Sequence, residues 1–512
     1  MIRALARRLP IEAILVGLGL CAILVAFVSA DPSSRTTFSN SPFTDEAFNT
    51  VNARNFAVLG RWSTDDWNLY LVNLPFSVLE GVWLRIVGVG IVQVRLIAIA
   101  CVSLTAATLV WGLRGIVGRG AAAFAGLAFA ASGLVLVYGR LAYLEDLVVL
   151  CLTLGAMVLA ADERLTTRWG ALSGVCFAVA IGAKPSAGFA VAGILTAVLV
   201  ALGRRDVAAR RWAFGAITAI AVAGLAWAVF IWLPNRDAVA IDMKIWAQVG
   251  ISLSPADLIH SVWQYLRTGN DQLYGKMLGS LLALGAAGLV ACGLMRRRLS
   301  RTQTRLVLAS VGWLVFGFGI LAIASYTPNR YVVPLVPPLA IIAATGLATT
   351  GQWLSERLGQ LAEMNPEAGA GSHPQDGPRF RWVRLAGAAL TIAVTVAAVT
   401  PGLVWYVSWA HGATYTLPDI QARFASLVPD GERVAGSQSA LFMMRSNAIT
   451  IITQAGDGPA NHEDLYRQGV RWYLVPADDP APPSVPEGAW AARQRVLCAA
   501  YGGVTECLFH VP

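Results

Sequence analysis

The feature that most constrains this chain is its succession of long, nearly uncharged apolar runs. They fall at roughly 11–29, 92–113, 120–137, 144–160, 170–182, 186–202, 212–233, 276–294, 306–324, 331–349 and 385–406. A helix needs about 20 apolar residues to cross the hydrocarbon core of a bilayer, so each run is a candidate span. Composition agrees: 56% of residues are hydrophobic and 13% are charged, against about 25% charge in soluble domains. The expected fold is a polytopic α-helical membrane protein of about eleven transmembrane helices. The N-terminus is basic and then apolar without an evident small-residue cleavage site, and it reads as an uncleaved first helix.

Cations punctuate the runs unevenly. With the N-terminus inside, the inner segments carry Arg3, Arg7 and Arg8; Arg114 and Arg119; Arg164 and Arg168; Arg204, Arg205, Arg210 and Arg211; Arg296, Arg297, Arg298, Arg301 and Arg305; and Arg357, Arg379, Arg381 and Arg384. The three short outer loops carry one cation each: Arg140, Lys184 and Arg330. Such a bias sets orientation, and one span more or fewer would scramble it. The net charge of +9 is therefore a topology signal. It does not form the aromatic-flanked basic surface of a nucleic-acid binder, so no nucleic-acid partner is expected.

A transmembrane region over 1–406 precedes an outer domain over 407–512. Two outer loops are long, 30–91 and 234–275, and 350–384 reads as an inner linker. The first loop holds amphipathic stretches such as "WNLYLVNLPFSVLEGVWLRIVG", suited to the interface. In the last domain "ERVAG", "AITIIT" and "VRWYLVP" read as strands, and "LPDIQARFASL" and "NHEDLYRQG" as helices, which makes a small α/β domain. Cys498 and Cys507 flank Gly502 and Gly503, a pair suited to a hairpin turn. Whether the two thiols join depends on the compartment, an oxidising one favouring a disulfide. The other five cysteines lie in apolar runs and read as core filler.

The polar residues that remain sit at the outer ends of the spans. Asp45 and Glu46 follow the first run. "YGRLAYLEDL" (138–147) offers Arg140, Tyr143, Glu145 and Asp146; "GAKPSAG" offers Lys184; "SYTPNRYVVPLVPPLA" (325–340) offers Tyr326, Arg330 and Tyr331. Singly, each has an ordinary explanation: solvated acids, carboxylates favouring a helix N-terminus, snorkelling cations, a proline-kinked span. Jointly, on one face, they make a candidate catalytic site. Carboxylates beside several cations at a membrane surface suit transfer of a sugar from a polyprenyl phosphate. Cations hold the departing phosphate, which is a good leaving group and needs no general acid. A carboxylate takes the proton of the poorly nucleophilic acceptor hydroxyl. One base with a cationic clamp gives single displacement with inversion, whereas retention would need a second, nucleophilic carboxylate. Two rivals are a transporter, which would place ionisable groups near the midplane and often in repeated halves, and a non-catalytic cell-envelope polysaccharide assembly protein.

The acidic pair after the first span, "YGRLAYLED" after the third, "GAKPS" between two short spans and "NRYVVPLVPPLA" near the end resemble the GT-C membrane glycosyltransferases. The nearest likeness is to the branch of protein O-mannosyltransferases and bacterial lipid A aminoarabinose transferases. The resemblance covers about 30–350, with the C-terminal domain compatible in position. It implies a polyprenyl-phosphate sugar donor, an extracytoplasmic site, inversion, and a lipid, glycan or protein acceptor, in a plasma (inner) membrane. Asp45 matches the first-loop catalytic aspartate and Glu46 its frequent neighbour. Arg140 and Glu145 match the second-loop motif, and Arg330 with Tyr331 the basic-tyrosine pair before the proline-rich span; Lys184 matches more weakly. The roles so implied are Asp45 as base, Glu46 orienting it or the sugar, and Arg140, Lys184 and Arg330 neutralising the phosphate. Tyr143, Glu145, Asp146, Tyr326 and Tyr331 complete the substrate-binding set. Many relatives carry Lys or His before a Pro-Pro-Leu late in the first loop. Here that region reads "DDWNLYLVNLPF", which gives no support for a metal there. A divalent cation at Asp65 and Asp66 is one alternative, and an interfacial turn the favoured one.

Overall fold

The computed structural model describes residues 10–32, 45–60, 62, 71–161, 164–202, 206–240, 254–261, 274–324, 329–363, 378–453, 465–478, 480–482, 485–501 and 504–512. Among these, six helices are long and apolar enough to cross a membrane: Ile91–Val117, Leu144–Ala161, Val207–Trp232, Arg301–Ile323, Arg330–Arg357 and Gly387–His411. Shorter apolar helices at Ile11–Val25, Arg119–Ala130, Thr167–Ala183, Ala187–Val200 and Leu282–Leu294 lie over the other expected runs. Length and composition thus mark six spans, and crossing by all eleven stays an expectation.

In chain order the elements that position the site begin with α1 (Ile11–Val25), α2 (Asp45–Leu59), α3 (Leu74–Val87) and α4 (Ile91–Val117). Next come α5 (Arg119–Ala130), α6 (Gly133–Tyr138), α7 (Leu144–Ala161) and α8 (Thr167–Ala183). The run expected as one span over 120–137 is instead broken between α5 and α6. Ala131 takes φ −94° and ψ 5°, and Ser132 is extended. The reason is a close crossing: a Cβ on Gly402 would lie 1.8 Å from the Ala131 carbonyl oxygen freed by the break. After α9 (Ala187–Ala197), α10 (Val207–Trp227) and α11 (Tyr274–Leu294), helix α12 (Arg301–Ile323) opens with a capping box. Ser300 Oγ accepts from the Gln303 amide, and the Gln303 side chain accepts from the Ser300 amide. A 3₁₀ turn, Asn329–Leu335, leads into α13 (Val336–Glu363), and α14 (Pro378–His411) completes the bundle. The continuous core is built mainly from α1, α4–α10, α12 and α13, with Phe124, Phe129, Phe177, Trp212 and Trp313 among its fully buried rings.

Residues 433–510 form a five-stranded mixed sheet in the order β2-β1-β3-β5-β4. The strands are β1 (Arg433–Ala435), β2 (Ile449–Ile451), β3 (Trp472–Pro476), β4 (Gln494–Tyr501) and β5 (Val504–His510). β1 runs parallel to β2 and β3, while β5 is antiparallel to β3 and β4. The first three strands fall on the three strand-like stretches of the sequence. "LPDIQARFASL" lies in and after α15 (Thr416–Phe424). "NHEDLYRQG" lies partly outside the described residues, and 465–469 form a turn rather than a helix. Cys498 and Cys507 face each other across β4 and β5 and are joined in a disulfide; Gly502 and Gly503 lie outside the described residues.

Two polar junctions tie this sheet to the first long loop. Asp31 caps α15: its Oδ2 accepts from the Thr416 amide and hydroxyl, both at 2.8 Å, and its Oδ1 accepts from the Leu417 amide at 3.1 Å. Further on, the buried Arg54 of α2 donates to the carbonyls of Met443 (2.7 Å), Ser446 (2.5 Å) and Ala448. Asn55 beside it exchanges hydrogen bonds with Thr450 of β2. An arginine fork can satisfy several carbonyls at once, which explains why a charge is tolerated in that contact.

Candidate active site

Three of the four sequence patches meet around one carboxylate. Glu145, in the first turn of α7, contacts Lys184 Nζ at 2.5 Å and Arg330 Nε at 3.3 Å. Lys184 ends α8, where the chain turns extended, and Arg330 lies in the 3₁₀ turn before α13. Two aromatic rings close the cluster. Lys184 Nζ sits 3.5 Å from the Tyr331 ring centre, and the Arg330 guanidinium 5.0 Å from Tyr331 and 5.6 Å from Tyr143. Tyr138 packs on Tyr143 at 5.8 Å. All three charged groups are buried, so their mutual attraction acts with little screening by water. Among the described residues, Lys184 and Arg330 meet on one carboxylate.

The segment before Glu145 joins this cluster to α2. Glu46 Oε1 accepts the Ala142 amide at 3.1 Å, and Asn49 Nδ2 donates to the Ala142 carbonyl at 3.1 Å. The first turn of α2 is therefore fixed against residues 140–145. Asp45 opens that helix; its side chain lies outside the described residues, as do Tyr326, Asp65 and Asp66.

Two of the expected site residues are engaged within the protein. Glu46 accepts from Arg95 Nε and Nη2 at 2.7 Å each, in a fully buried fork, and so fixes the turn of α2 that carries Asp45. Arg140 is buried against the exit of the first helix. Its Nη1 donates to the Ala30 carbonyl at 2.6 Å and its Nη2 to that of Asp31 at 2.9 Å, with the guanidinium 4.4 Å from the Trp409 ring centre. Burial lowers its pKa to about 10, with the positive Arg95 adding to the effect, which still leaves it charged at neutral pH. Both residues brace the exit of the first helix, because the carbonyls of Val28 and Ala30 also accept from Arg95 at 2.8 Å. Asp146 is buried, and both its carboxylate oxygens lack a hydrogen-bond partner; no contact places it in the cation cluster.

Arg95 and Glu80 were not singled out from the sequence. Arg95 reads as the border of a span, and only the acid at Glu46, 49 residues earlier, makes it a positioning group. Glu80 of α3 is fully buried with neither oxygen bonded. Burial pushes its carboxyl well above the carboxylate range, and the negative Glu46 adds to the push. Among the described residues no group of three His, Cys, Asp or Glu is placed to hold a metal ion.

With this geometry in hand, the comparisons are specific about the fold. Residues 77–232, which include Arg140, Glu145 and Lys184, match the family model described as dolichyl-phosphate-mannose-protein mannosyltransferase. ArnT from Cupriavidus metallidurans, solved bound to undecaprenyl phosphate, matches with a TM-score of 0.63 at 15% identity, over 97% of each chain. The archaeal oligosaccharyltransferase AglB from Archaeoglobus fulgidus, solved with an inhibitory peptide and a dolichol-phosphate, gives 0.52 at 12% identity over 91% of this chain and 69% of its own. The arabinofuranosyltransferase AftD from Mycobacteria gives 0.52 at 16% identity, over 98% of this chain and 40% of its own. A comparison with curated proteins finds no match. The chain shares the multi-pass fold of these solved membrane glycosyltransferases, and its segment 77–232 is similar to the mannosyltransferase family model.

Proposed function

We propose that the protein is an inverting glycosyltransferase. It moves a hexosyl or pentosyl group from a polyprenyl-phosphate donor to a lipid, glycan or protein acceptor, on the outer face of a plasma membrane. The observation that carries this is the convergence of Lys184 and Arg330, from segments 146 residues apart, on Glu145 and two tyrosines. Glu145 holds the two cations in place when the site is empty. When a donor arrives, the phosphate shares their donors, and the charge that builds on it as the glycosidic bond breaks meets groups already oriented. The tyrosine faces give the cations an apolar, electron-rich seat that keeps water away. The base is Asp45, carried by the turn of α2 that Glu46 and Asn49 hold against Ala142. It accepts the acceptor hydroxyl's proton while that oxygen attacks the sugar carbon from the face opposite the phosphate. The disulfide of the C-terminal sheet supports an oxidising, extracytoplasmic location for that domain.

The test is direct. Purified protein is incubated with a panel of polyprenyl-phosphate sugars, and release of polyprenyl phosphate is followed. One donor should be consumed, and Asp45→Asn should abolish consumption while leaving the melting temperature unchanged. Near-normal turnover by that variant removes Asp45 as the base. A panel with no donor consumed, alongside uptake of a labelled solute in proteoliposomes, replaces the transferase with a transporter.

A further inference from the structure

α7 runs from Leu144 to Ala161, so at 1.5 Å per residue its far end lies about 24 Å from Glu145. There the structure encloses a half-open cavity of about 980 Å³. Its walls are the start of α1, the C-terminal ends of α4 and α7, the N-terminal ends of α5 and α12, and Gln352 of α13. Every one of these segments belongs to the Arg-rich, inner set of the chain. Three guanidiniums line the cavity, those of Arg114, Arg119 and Arg298, and its apolar wall includes Trp111 and Met157.

α4 ends along the cavity in "GLRGIVG", where Gly112 lets Met157 pack close against the helix. A Cβ on Gly115 or Gly118 would meet nothing within 4 Å, and Gly118 has φ +85°, which favours glycine. The space is therefore open along that edge of the helix. Arg119 and Arg298 are paired with acids at the cavity's exposed rim, and Arg114 is held only at a distance. Arg119 Nε donates to Glu12 Oε1 at 2.7 Å, Arg114 lies 3.8 Å from the other oxygen of Glu12, and Arg298 meets Glu356. Among the described residues two acids serve these three guanidiniums, and the pairs are partly to largely exposed. Ion pairs of that kind are weak and exchange readily for a better anion.

We propose that this cavity binds the phosphate headgroup of an anionic phospholipid of the inner leaflet. The chemistry is arginine forks on a phosphate, with the bidentate geometry that guanidinium provides. A lipid is the source because the cavity opens at the ends of spanning helices, at headgroup depth, with an indole and a thioether beside the cations to meet the glycerol and first methylenes. Basic pockets between spanning helices on this side of a membrane hold such headgroups. The site is independent of the sugar chemistry, since it lies the length of α7 away from Glu145.

The test uses the full chain purified in neutral detergent and read by native mass spectrometry. The probes are phosphatidylglycerol, phosphatidylcholine and inorganic phosphate. The wild type should retain phosphatidylglycerol at least about fivefold more tightly than phosphatidylcholine, and each arginine removed should cost about fivefold. Arg114→Gln, Arg119→Gln and Arg298→Gln together should therefore erase the preference. Arg296→Gln with Arg297→Gln, on the same face but outside the lining, should keep it. Because the triple variant could fail to fold, Arg119→Gln alone serves as the second arm: its side chain is 67% exposed, and a fivefold loss is expected from it. Equal retention by the cavity variants, equal loss in the control pair, or no preference in the wild type overturns the site. So does inorganic phosphate that displaces the lipid at equal concentration, since the ligand is then a soluble phosphate.

Discussion

Glu145 stands between Lys184 and Arg330, and its charge contributes to holding both buried there. Breaking a buried ion pair from one side costs about 3–5 kcal/mol, because the partner charge remains. Glu145→Gln should lower the melting temperature as well as transfer, and an unchanged melt would show that the cations do not depend on it. On the proposed mechanism, Arg330→Ala removes a hydrogen-bond donor to the phosphate. At about 1.5–3 kcal/mol for a hydrogen bond to a charged group, the donor KM should rise roughly 10- to 150-fold, with the acceptor KM little changed; the reverse pattern would move Arg330 to the acceptor side. Glu80 gives a pH signature. Its folded-state pKa is raised by burial and then by Glu46, so the folded chain holds a proton that the unfolded chain gives up near the ordinary value of 4.5. Its stabilising contribution is complete below that value and is lost as pH rises toward the raised one. Glu80→Gln is neutral throughout and should flatten the decline in melting temperature as pH rises above the ordinary value of 4.5; parallel curves for the two proteins would rule this out. At this scale the sequence displays charges but not partners. Arg140 and Glu46 were legible as special positions, yet their bonds to the carbonyls of Ala30 and Asp31 and to Arg95 cross 49 to 110 residues and leave no local pattern.

α2 is the element on which the proposed base depends. One end is pinned to Ala142 by Glu46 and Asn49, the other to the C-terminal sheet by Arg54 and Asn55. Arg54→Ala strands several buried carbonyls, at about 1–3 kcal/mol for each one left unsatisfied. It should reduce the transfer rate while donor binding, set by Lys184 and Arg330, changes little. Equal loss of both in donor-binding and turnover assays would mean general unfolding instead. β4 and β5 make a separate test. Replacing Cys498 and Cys507 by serine opens a short loop, and the chain-entropy cost of about 2–3 kcal/mol should lower the melting temperature only when the wild type is kept oxidised. The elements that carry apolar periodicity were legible in advance: the runs that became α4, α7, α10 and α12, and the stretches that became β1 to β3. The break between α5 and α6 was not, since its cause is Gly402, some 270 residues away, approaching the Ala131 carbonyl.

Across the whole molecule, the uneven distribution of arginines and the three-way meeting at Glu145 make a joint prediction. Cysteine labelling from either side of sealed vesicles should find positions 45 and 330 on one side and positions 119 and 301 on the other. Labelling of 45 and 330 from opposite sides would dissolve the proposed site. The depth of the fold also bears on how such a protein comes into being. Arg54 finds its carbonyl partners 389 to 394 residues further along the chain. At translation rates of about 5–20 residues per second, α2 leaves the ribosome roughly 20–80 s before its dock exists. Throughout that interval a guanidinium destined for burial stays hydrated, and the helix that begins at Asp45 is anchored at one end only. If the protein transfers a sugar as proposed, a nascent or prematurely terminated chain is inserted with its base unplaced, which keeps half-made copies from consuming an activated lipid.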